Sequence, residues 1–200
     1  SPNATATGRY FDGSALVSLA DPVGNALTGS MWPAFANEWF AQTGRLSCYV
    51  EAAHGGAALL PDVAGLNWSP SGSLRGSAVT MANDAIAAIN ASDWLTLGSV
   101  HFVGSQGETD AENGVSEADY ESALEEIAAY FKAQVPPMAQ MLVVRTGARN
   151  NLADGARWAA IRSAQDAACG ASPNLRMVYR GTSSFNLAGR AMMADALHYN

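Results

Sequence analysis

Helical patterns and short apolar runs alternate along most of this chain, and that alternation limits the folds it can adopt. From residue 31 onward, four predicted helices alternate with four apolar runs of strand length. Strands that are joined through helices pair in parallel, because the chain has to cross the sheet between them. Helices then cover both faces of such a sheet. We therefore predict an α/β fold, a three-layer α/β/α sandwich of the flavodoxin-like kind with a central parallel sheet.

Caps, turn residues and periodicity set the expected bounds. Helices are predicted at 32–42, 75–91, from the cap at Ser116 to the Pro136-Pro137 pair, and at 154–168, and strands at 46–53, 95–103, 141–146 and 175–179. Apolar residues at helical spacing predict the buried faces. They are Trp32, Phe35, Ala36, Trp39 and Phe40, then Val79, Ala82, Ile86 and Ile89, then Tyr120, Leu124, Ile127 and Phe131, and finally Trp158 and Ile161, beside either Ala164 or Gln165. Residues 1–30 are a polar, glycine-containing opening without a predicted element.

Composition bounds the class of protein and of partner. The 200 residues are 48% hydrophobic and 14% charged, which is enough apolar material for one sizeable core, so a single domain over 1–200 is expected. The formal charge of -7, with Lys132 as the only lysine, argues against nucleic acid or an anionic membrane surface as partner. No apolar run approaches the roughly 20 residues of a membrane span. A neutral or weakly charged substrate fits better.

The two cysteines predict neither a disulfide nor a metal site. Cys48 lies in an apolar run, and Cys169 lies at the end of a helical pattern. Because of these surroundings we expect two buried thiols rather than a disulfide. Neither residue has a neighbour at metal-ligand spacing, so no metal site is expected at either. No metal or organic cofactor is expected.

An Asp and a His at D-x-x-H spacing suggest acid–base chemistry. Asp195 can orient the imidazole of His198, as the second and third members of a serine-hydrolase triad do. Two other unusual loops follow predicted strands, His54-Gly55-Gly56 and Ser105-Gln106-Gly107-Glu108. The carboxyl ends of parallel strands share one edge of a sheet, so these loops are expected to meet there.

The two loops supply candidate donors for an oxyanion hole. Gly55 or Gly56 can bring a backbone N–H close to a ligand because no Cβ intervenes. Gln106 can add a side-chain amide beside it. We expect Glu108 to be a supporting carboxylate, since a second acid near such a site more often orients other groups than reacts.

These motifs together resemble the SGNH-hydrolase superfamily, within it the sialate O-acetylesterase-like and plant-type carbohydrate acetylesterase branch. The matching blocks are His54-Gly55-Gly56, Gln106-Gly107-Glu108-Thr109-Asp110-Ala111 and Asp195-Ala196-Leu197-His198-Tyr199. Weaker similarity covers Asp21-Pro22, Gly29 to Ala36 and Arg162 to Gln165. The resemblance spans nearly the whole chain in the family's order, and Q-G-E-T-D-A is its most specific string.

The family's first block, Gly-Gln-Ser-Asn after a strand, is where this sequence departs. Ser1 lies where the nucleophile would be relative to Asp21-Pro22, but the strand and Gly-Gln before it are missing, as is a helix after His198. Either the chain is a segment of a longer protein and associates with flanking polypeptide, or Ser1 is not the nucleophile and catalysis is lost. Ser105 is a rival nucleophile, although it lacks the first glycine of a G-x-S-x-G elbow.

The resemblance implies a serine esterase that removes acyl groups, with acetyl expected, from a carbohydrate. Ser1, His198 and Asp195 would form the triad, and Gly55, Gly56 and Gln106 the oxyanion hole. The alternative is an inactive glycan-binding or structural module on the same fold, such as a phage tail or spike component. A lipid or thioester hydrolase is disfavoured by the polar loop at 61–74. An extracellular, periplasmic or virion-associated location is favoured over a membrane, and an oligomer is compatible with the sequence.

Several other residues carry weaker expectations. Trp68 either stacks on a sugar ring or packs on the core, and the sequence leaves these alternatives even. His54 can line the mouth of the site, whereas His101 is expected to be a hydrogen-bonded core histidine. Arg145 and Arg149 are expected to form structural salt bridges.

Overall fold

The computed structural model describes residues 5–20, 23, 30–61, 66–148 and 155–184. The chain divides into two compact units. One comprises Ser1–Ala53 and Ser77–Gly98, and the other comprises His54–Gly76 and Ser99–Asn200. Each unit contains a three-stranded sheet. Helices combined with parallel strand pairs make this an α/β protein, as the alternating pattern predicted.

The first unit is built around a strand that the sequence did not predict. Its strands are β1 (Thr5–Phe11), β2 (Leu16–Leu19) and β3 (Ser47–Tyr49), in the order β2-β1-β3. β1 and β2 form an antiparallel hairpin, whereas β1 and β3 are parallel. The expectation that residues 1–30 contain no element was therefore wrong. Neither β1 nor β2 alternates clearly between apolar and polar residues. The pairing of β1 with β2 and with β3 therefore decides their conformation.

Helix α1 (Trp32–Thr43) follows the predicted bounds but buries a different face. Pro33 and Ala36 are buried, whereas Phe35 is 48% exposed and Trp39 is 40% exposed. The helix lies very close to β1, because a Cβ built on Gly8 would be 2.9 Å from the Cβ of Ala36. Large rings do not fit at that separation. The rings of Phe35 and Trp39 instead stack on each other, with centroids 6.4 Å apart.

Helix α2 (Leu74–Asn90) is also found where it was predicted, with its buried face displaced by about one residue. Ala78 and Ala85 are buried. The four residues predicted for this face are only half-buried, namely Val79, Ala82, Ile86 and Ile89. None of the helices in the described ranges has both the length and the apolarity needed to cross a bilayer.

The second unit has the parallel topology that the sequence predicted. Its strands are β4 (Val100–Ser105), β5 (Met138–Val144) and β6 (Leu175–Tyr179), all parallel and in the order β4-β5-β6. Its helices are α3 (Glu108–Glu112), α4 (Glu117–Gln134) and α5 (Gly155–Ala171). Helix α4 packs against α5 and β5, and α5 packs against β6. The helices between consecutive strands are the crossovers that parallel pairing requires.

The core of this unit confirms the periodicity of α4 and α5. Tyr120, Leu124, Ile127 and Phe131 of α4 are all buried, and so are Trp158, Ile161, Ala164 and Gln165 of α5. Phe131 stacks on Phe102 of β4, with ring centroids 4.0 Å apart. Ser116 caps α4, as predicted, by accepting a hydrogen bond from the Asp119 N–H.

Strands β3 and β4 differ most from their predicted ranges. β3 covers only three residues of the predicted run at 46–53, and none of the three is buried. β4 begins at Val100 rather than residue 95. Its Val103 points away from the Phe102 face and is 49% exposed. A third layer on that face, and hence the full sandwich, stays a prediction.

The cap of α4 can be tested by substitution. We expect Ser116→Ala to lower the free energy of unfolding by about 1 kcal/mol, because the Asp119 N–H would lose its acceptor in the first turn. Chemical denaturation measures this. Ser122→Ala, an exposed serine within the same helix, is the matched control and should be neutral or stabilising by up to about 0.5 kcal/mol. Equal losses in both variants would contradict the capping role.

Candidate active site

The described residues include five of the predicted site residues. They are Gly55, Gly56, Trp68, Gln106 and Glu108, all in the second unit. The predicted triad of Ser1, Asp195 and His198 lies outside the described residues, as does Arg149. The geometry therefore bears on the predicted oxyanion loops.

Residues 54–57 form a tight turn that presents two glycines. The Ala57 N–H donates to His54 O at 3.4 Å, and Gly56 has φ +75°, a left-handed conformation that glycine adopts readily. Exposed His54 places its Nδ1 3.0 Å from Gly55 O. Gly55 and Gly56 are exposed, and within the described ranges neither N–H donates to a protein acceptor. Both backbone donors are therefore without an acceptor in the part of the chain that the structure describes.

The carboxylate of Asp110 holds the residues that follow this turn. Oδ2 accepts from the Leu59 N–H at 2.8 Å, and Oδ1 accepts from the Leu60 N–H at 3.1 Å. Asp110 is 0% exposed, so its lone pairs have only protein groups to satisfy them. These bonds join α3 to the loop across 50 and 51 residues of sequence.

The side chain of Gln106 is fully paired within the protein. Its Nε2 donates to Asp110 Oδ2 at 2.6 Å and to Ala57 O at 3.0 Å, which uses both amide hydrogens. Its Oε1 lies 2.8 Å from the hydroxyl of Tyr120, which donates. The amide predicted to bind an oxyanion thus has no free hydrogen in this arrangement.

The backbone carbonyl of Gln106 is the centre of a buried polar network. Thr146 Oγ1 donates to it at 2.6 Å and Gln165 Nε2 donates to it at 2.8 Å. The Tyr120 hydroxyl lies 3.0 Å away and shares its single hydrogen between this carbonyl and Oε1. Gln165 Oε1 in turn accepts from the Thr146 N–H at 2.9 Å. Burial, with the nearby charge of Asp110 second, raises the pKa of Tyr120 well above its usual value, so its hydroxyl stays protonated and donates.

Sequence reasoning placed Tyr120 and Gln165 on apolar helix faces and missed this network. Thr146 was assigned only to a strand end. A signal was present, because a tyrosine and a glutamine at core positions both need hydrogen-bond partners when they are buried. Periodicity alone does not identify those partners.

Gly107 allows the chain to turn from β4 into α3 at this network. Its φ is +134°, and a Cβ there would lie 2.6 Å from both Ile161 Cγ2 and Thr146 Oγ1. Any side chain at this position would displace α5 or the network. The glycine of the Q-G-E-T-D-A string is therefore a structural requirement.

The remaining candidates have mixed outcomes. Trp68 is half-buried and packs edge-on against Phe131, with centroids 6.4 Å apart, which is the core-packed alternative. Glu108 is half-buried at the start of α3, and Ser105 is exposed at the end of β4. The expectation of a core position for His101 was wrong, because it alternates with Phe102 along β4 and is exposed.

Arg145 forms the structural salt bridge that was predicted. Its guanidinium contacts Asp166 Oδ2 at 2.8 Å, and Arg180 Nε contacts Oδ1 of the same carboxylate at 2.9 Å. Burial alone would raise the pKa of Asp166, but the hydrogen bonds from Arg180 and Arg145 outweigh it and lower that pKa. This cluster ties the ends of β5 and β6 to α5.

The two cysteines are free thiols, as expected, but Cys48 is exposed rather than buried and Cys169 is half-buried. β3 is too short and too open to bury Cys48. Desolvation raises the pKa of each thiol to about 11. Among the described residues, no group of three or more His, Cys, Asp or Glu is arranged to hold a metal ion.

Comparison with known proteins gives no relative for this chain. No family model, no curated protein and no solved structure matches it. The resemblance to SGNH hydrolases therefore rests on the motifs alone.

The role of Gly107 can be tested by adding one methyl group. We expect Gly107→Ala to lower the free energy of unfolding by at least about 2 kcal/mol, because the Cβ would overlap Ile161 and Thr146 at an unfavourable φ. Thermal or chemical denaturation measures this. Gly170→Ala on the exposed side of α5 has open space and should be neutral or stabilising by up to about 1 kcal/mol. Similar effects of both substitutions would be inconsistent with the close packing.

The raised thiol pKa values predict slow alkylation. A shift from 9.0 to about 11 leaves about 100-fold less thiolate near pH 7, while the greater nucleophilicity of the more basic thiolate recovers about 10-fold. We expect iodoacetamide to modify the half-buried Cys169 about 10-fold more slowly in the folded protein than in urea. Mass spectrometry gives both rates, and a folded-state rate that levels off below pH 9 would contradict the raised pKa.

Proposed function

We propose that this chain is an SGNH-type serine esterase that removes O-acetyl groups from a carbohydrate. The observation that carries the proposal is the turn at residues 54–57, with two exposed backbone N–H groups that have no acceptor among the described residues. Asp110 and Gln106 bind the residues after this turn across 49 to 51 positions of sequence. Two of the three motifs on which the resemblance rests are thereby in direct contact.

The proposed chemistry begins with attack by a serine hydroxyl on the ester carbonyl. His198 takes the hydroxyl proton as Ser1 Oγ bonds to the carbonyl carbon, and Asp195 orients the imidazole and stabilises its charged form. The carbonyl oxygen becomes an oxyanion. N–H donors of the glycine turn, with the N–H of the serine, stabilise this charge more strongly than they stabilise the ground state.

Three further proton transfers complete the cycle. Collapse of the tetrahedral intermediate breaks the bond to the sugar oxygen, which leaves with the proton from His198. Water then attacks the acetyl-serine while His198 acts as base again, and acetate leaves as the serine recovers its proton. The steps balance with water as the only co-substrate.

The proposal includes the finer fold and the partner. A three-layer α/β/α sandwich with a central parallel sheet is the architecture proposed. It is supported by the parallel order β4-β5-β6 and the crossover helices α4 and α5. A neutral acetylated sugar is the proposed substrate, in keeping with the net charge of -7.

The esterase proposal predicts a large loss of turnover on removal of the base. We expect His198→Ala to lower kcat for p-nitrophenyl acetate and for an O-acetylated sugar at least about 1000-fold, because the serine hydroxyl would lose its proton acceptor. Nitrophenolate and acetate release are the measurements. His101→Ala, which removes an exposed histidine of β4, is the matched control and should retain wild-type kcat.

Equal release by wild type and His198→Ala would rule out the esterase. Binding of a glycan without turnover would instead favour the inactive module. Ser1→Ala and Ser105→Ala identify the nucleophile, since only the reacting serine should be required for a trapped acetyl-enzyme detected by mass spectrometry.

A further inference from the structure

The pairing of Gln106 with Asp110 indicates a role that differs from direct oxyanion binding. We propose that Asp110 is a positioning residue for the glycine turn and that Gln106 acts through it. We call Asp110, Gln106 and the backbone groups of Ala57, Leu59 and Leu60 the Asp110 clamp. The inference rests on the proposed esterase function and concerns how its oxyanion donors are held in place.

The clamp fixes the residues that follow the turn at several atoms. Asp110 accepts from the N–H groups of Leu59 and Leu60, while Gln106 donates to the carbonyl of Ala57. The Ala57 N–H closes the turn on His54 O. Every peptide group that orients the C-terminal side of the turn is thus engaged by a defined partner.

The two glycines of the turn have no side-chain packing to hold them. A Cβ built on Gly55 or on Gly56 would meet no atom within 4 Å. Ala57, Ala58 and Leu59 are buried directly after the glycines. The position of the two exposed N–H groups therefore depends on how the buried segment is oriented, and the clamp sets that orientation.

Only a carboxylate satisfies all the donors at this point. Three N–H groups converge on its two oxygens, from Leu59, Leu60 and the Gln106 amide. An asparagine has one oxygen and two hydrogens, so one of the donors would face an NH₂ group. The side chain is 0% exposed, so water cannot readily replace the missing acceptor.

Direct donation by Gln106 to an oxyanion would require one of these bonds to break. Release of Nε2 would leave either the Ala57 carbonyl or the buried Asp110 Oδ2 without that donor. The hydroxyl of Tyr120 also holds Oε1 from the other side. Holding the turn keeps every bond intact, and for this reason we assign Gln106 to positioning.

A double-mutant cycle separates the two roles. Asp110→Asn, Gln106→Met and the double variant are compared by kcat and KM for p-nitrophenyl acetate. We expect each single variant to lower kcat about 10- to 100-fold with KM changed less than about 3-fold, because misplaced donors weaken transition-state binding. The kcat of the double variant should be no more than about 3-fold below that of the less active single variant, since both substitutions act through one clamp.

Matched variants control for stability and for charge. Ile127→Val trims a buried residue of α4 in the same unit, and Asp84→Asn removes an exposed carboxylate of α2. Both should retain wild-type kcat. Hydrogen exchange followed by NMR should show faster exchange at the amides of Leu59 and Leu60, and displaced resonances for Gly55 and Gly56, in Asp110→Asn but not in Ile127→Val.

The outcomes are distinct. A wild-type kcat in folded Asp110→Asn, or losses in the two single variants that multiply in the double, would overturn the positioning role. Should Asp110→Asn not fold, Gln106→Met and Tyr120→Phe form an equivalent cycle around the same amide. Lack of turnover in the wild type would count against the esterase alone. In that case the NMR resonances of Gly55 and Gly56 test the clamp. Unchanged resonances in Asp110→Asn or Gln106→Met would overturn it.

Discussion

The candidate site depends on the buried carboxylate of Asp110. An ionised carboxylate in a protein interior costs several kcal/mol unless hydrogen bonds replace its hydration. Here the replacements are the N–H groups of Leu59 and Leu60 and the amide of Gln106. They come from segments far apart in sequence, so satisfying this one charge also brings the glycine turn to α3. The hydrogen bonds that replace the hydration of Asp110 are therefore the same bonds that assemble the site.

The carbonyl of Gln106 extends this anchoring into the rest of the second unit. Its donors are Thr146 beyond the end of β5 and Gln165 of α5, and Tyr120 of α4 shares its hydroxyl hydrogen between this carbonyl and Oε1 of the same residue. Gly107 makes the arrangement possible because a Cβ would occupy the space that Thr146 and Ile161 fill. The chain leaving β4 is thus fixed to two helices and to the next strand's end. A site at the end of β4 is therefore built on a rigid support. Such rigidity suits hydrogen-bond donors that must be in place before a reaction begins.

Elements with strong local signals were predicted well, and elements that depend on distant partners were not. Helix α2 was predicted to within one residue at each end, and β6 exactly matches its predicted range, because periodicity and turn residues are local properties. The hairpin of β1 and β2 was missed because its weakly patterned strands are stabilised by pairing. The aromatic face of α1 was assigned to the core, although close contact near Gly8 leaves room only for Ala36.

By itself the sequence determined the α/β class of the second unit, the cap of α4 and the buried faces of α4 and α5. These follow from rules that act over a few residues. Only the tertiary structure decided what the polar side chains do. The string Q-G-E-T-D-A identifies Gln106 as an amide donor but not its acceptor, and Ala57 and Asp110 both take a hydrogen from it. Hydrogen-bond partners are chosen by geometry in three dimensions, since each buried polar atom pairs with whatever group the fold brings within about 3 Å.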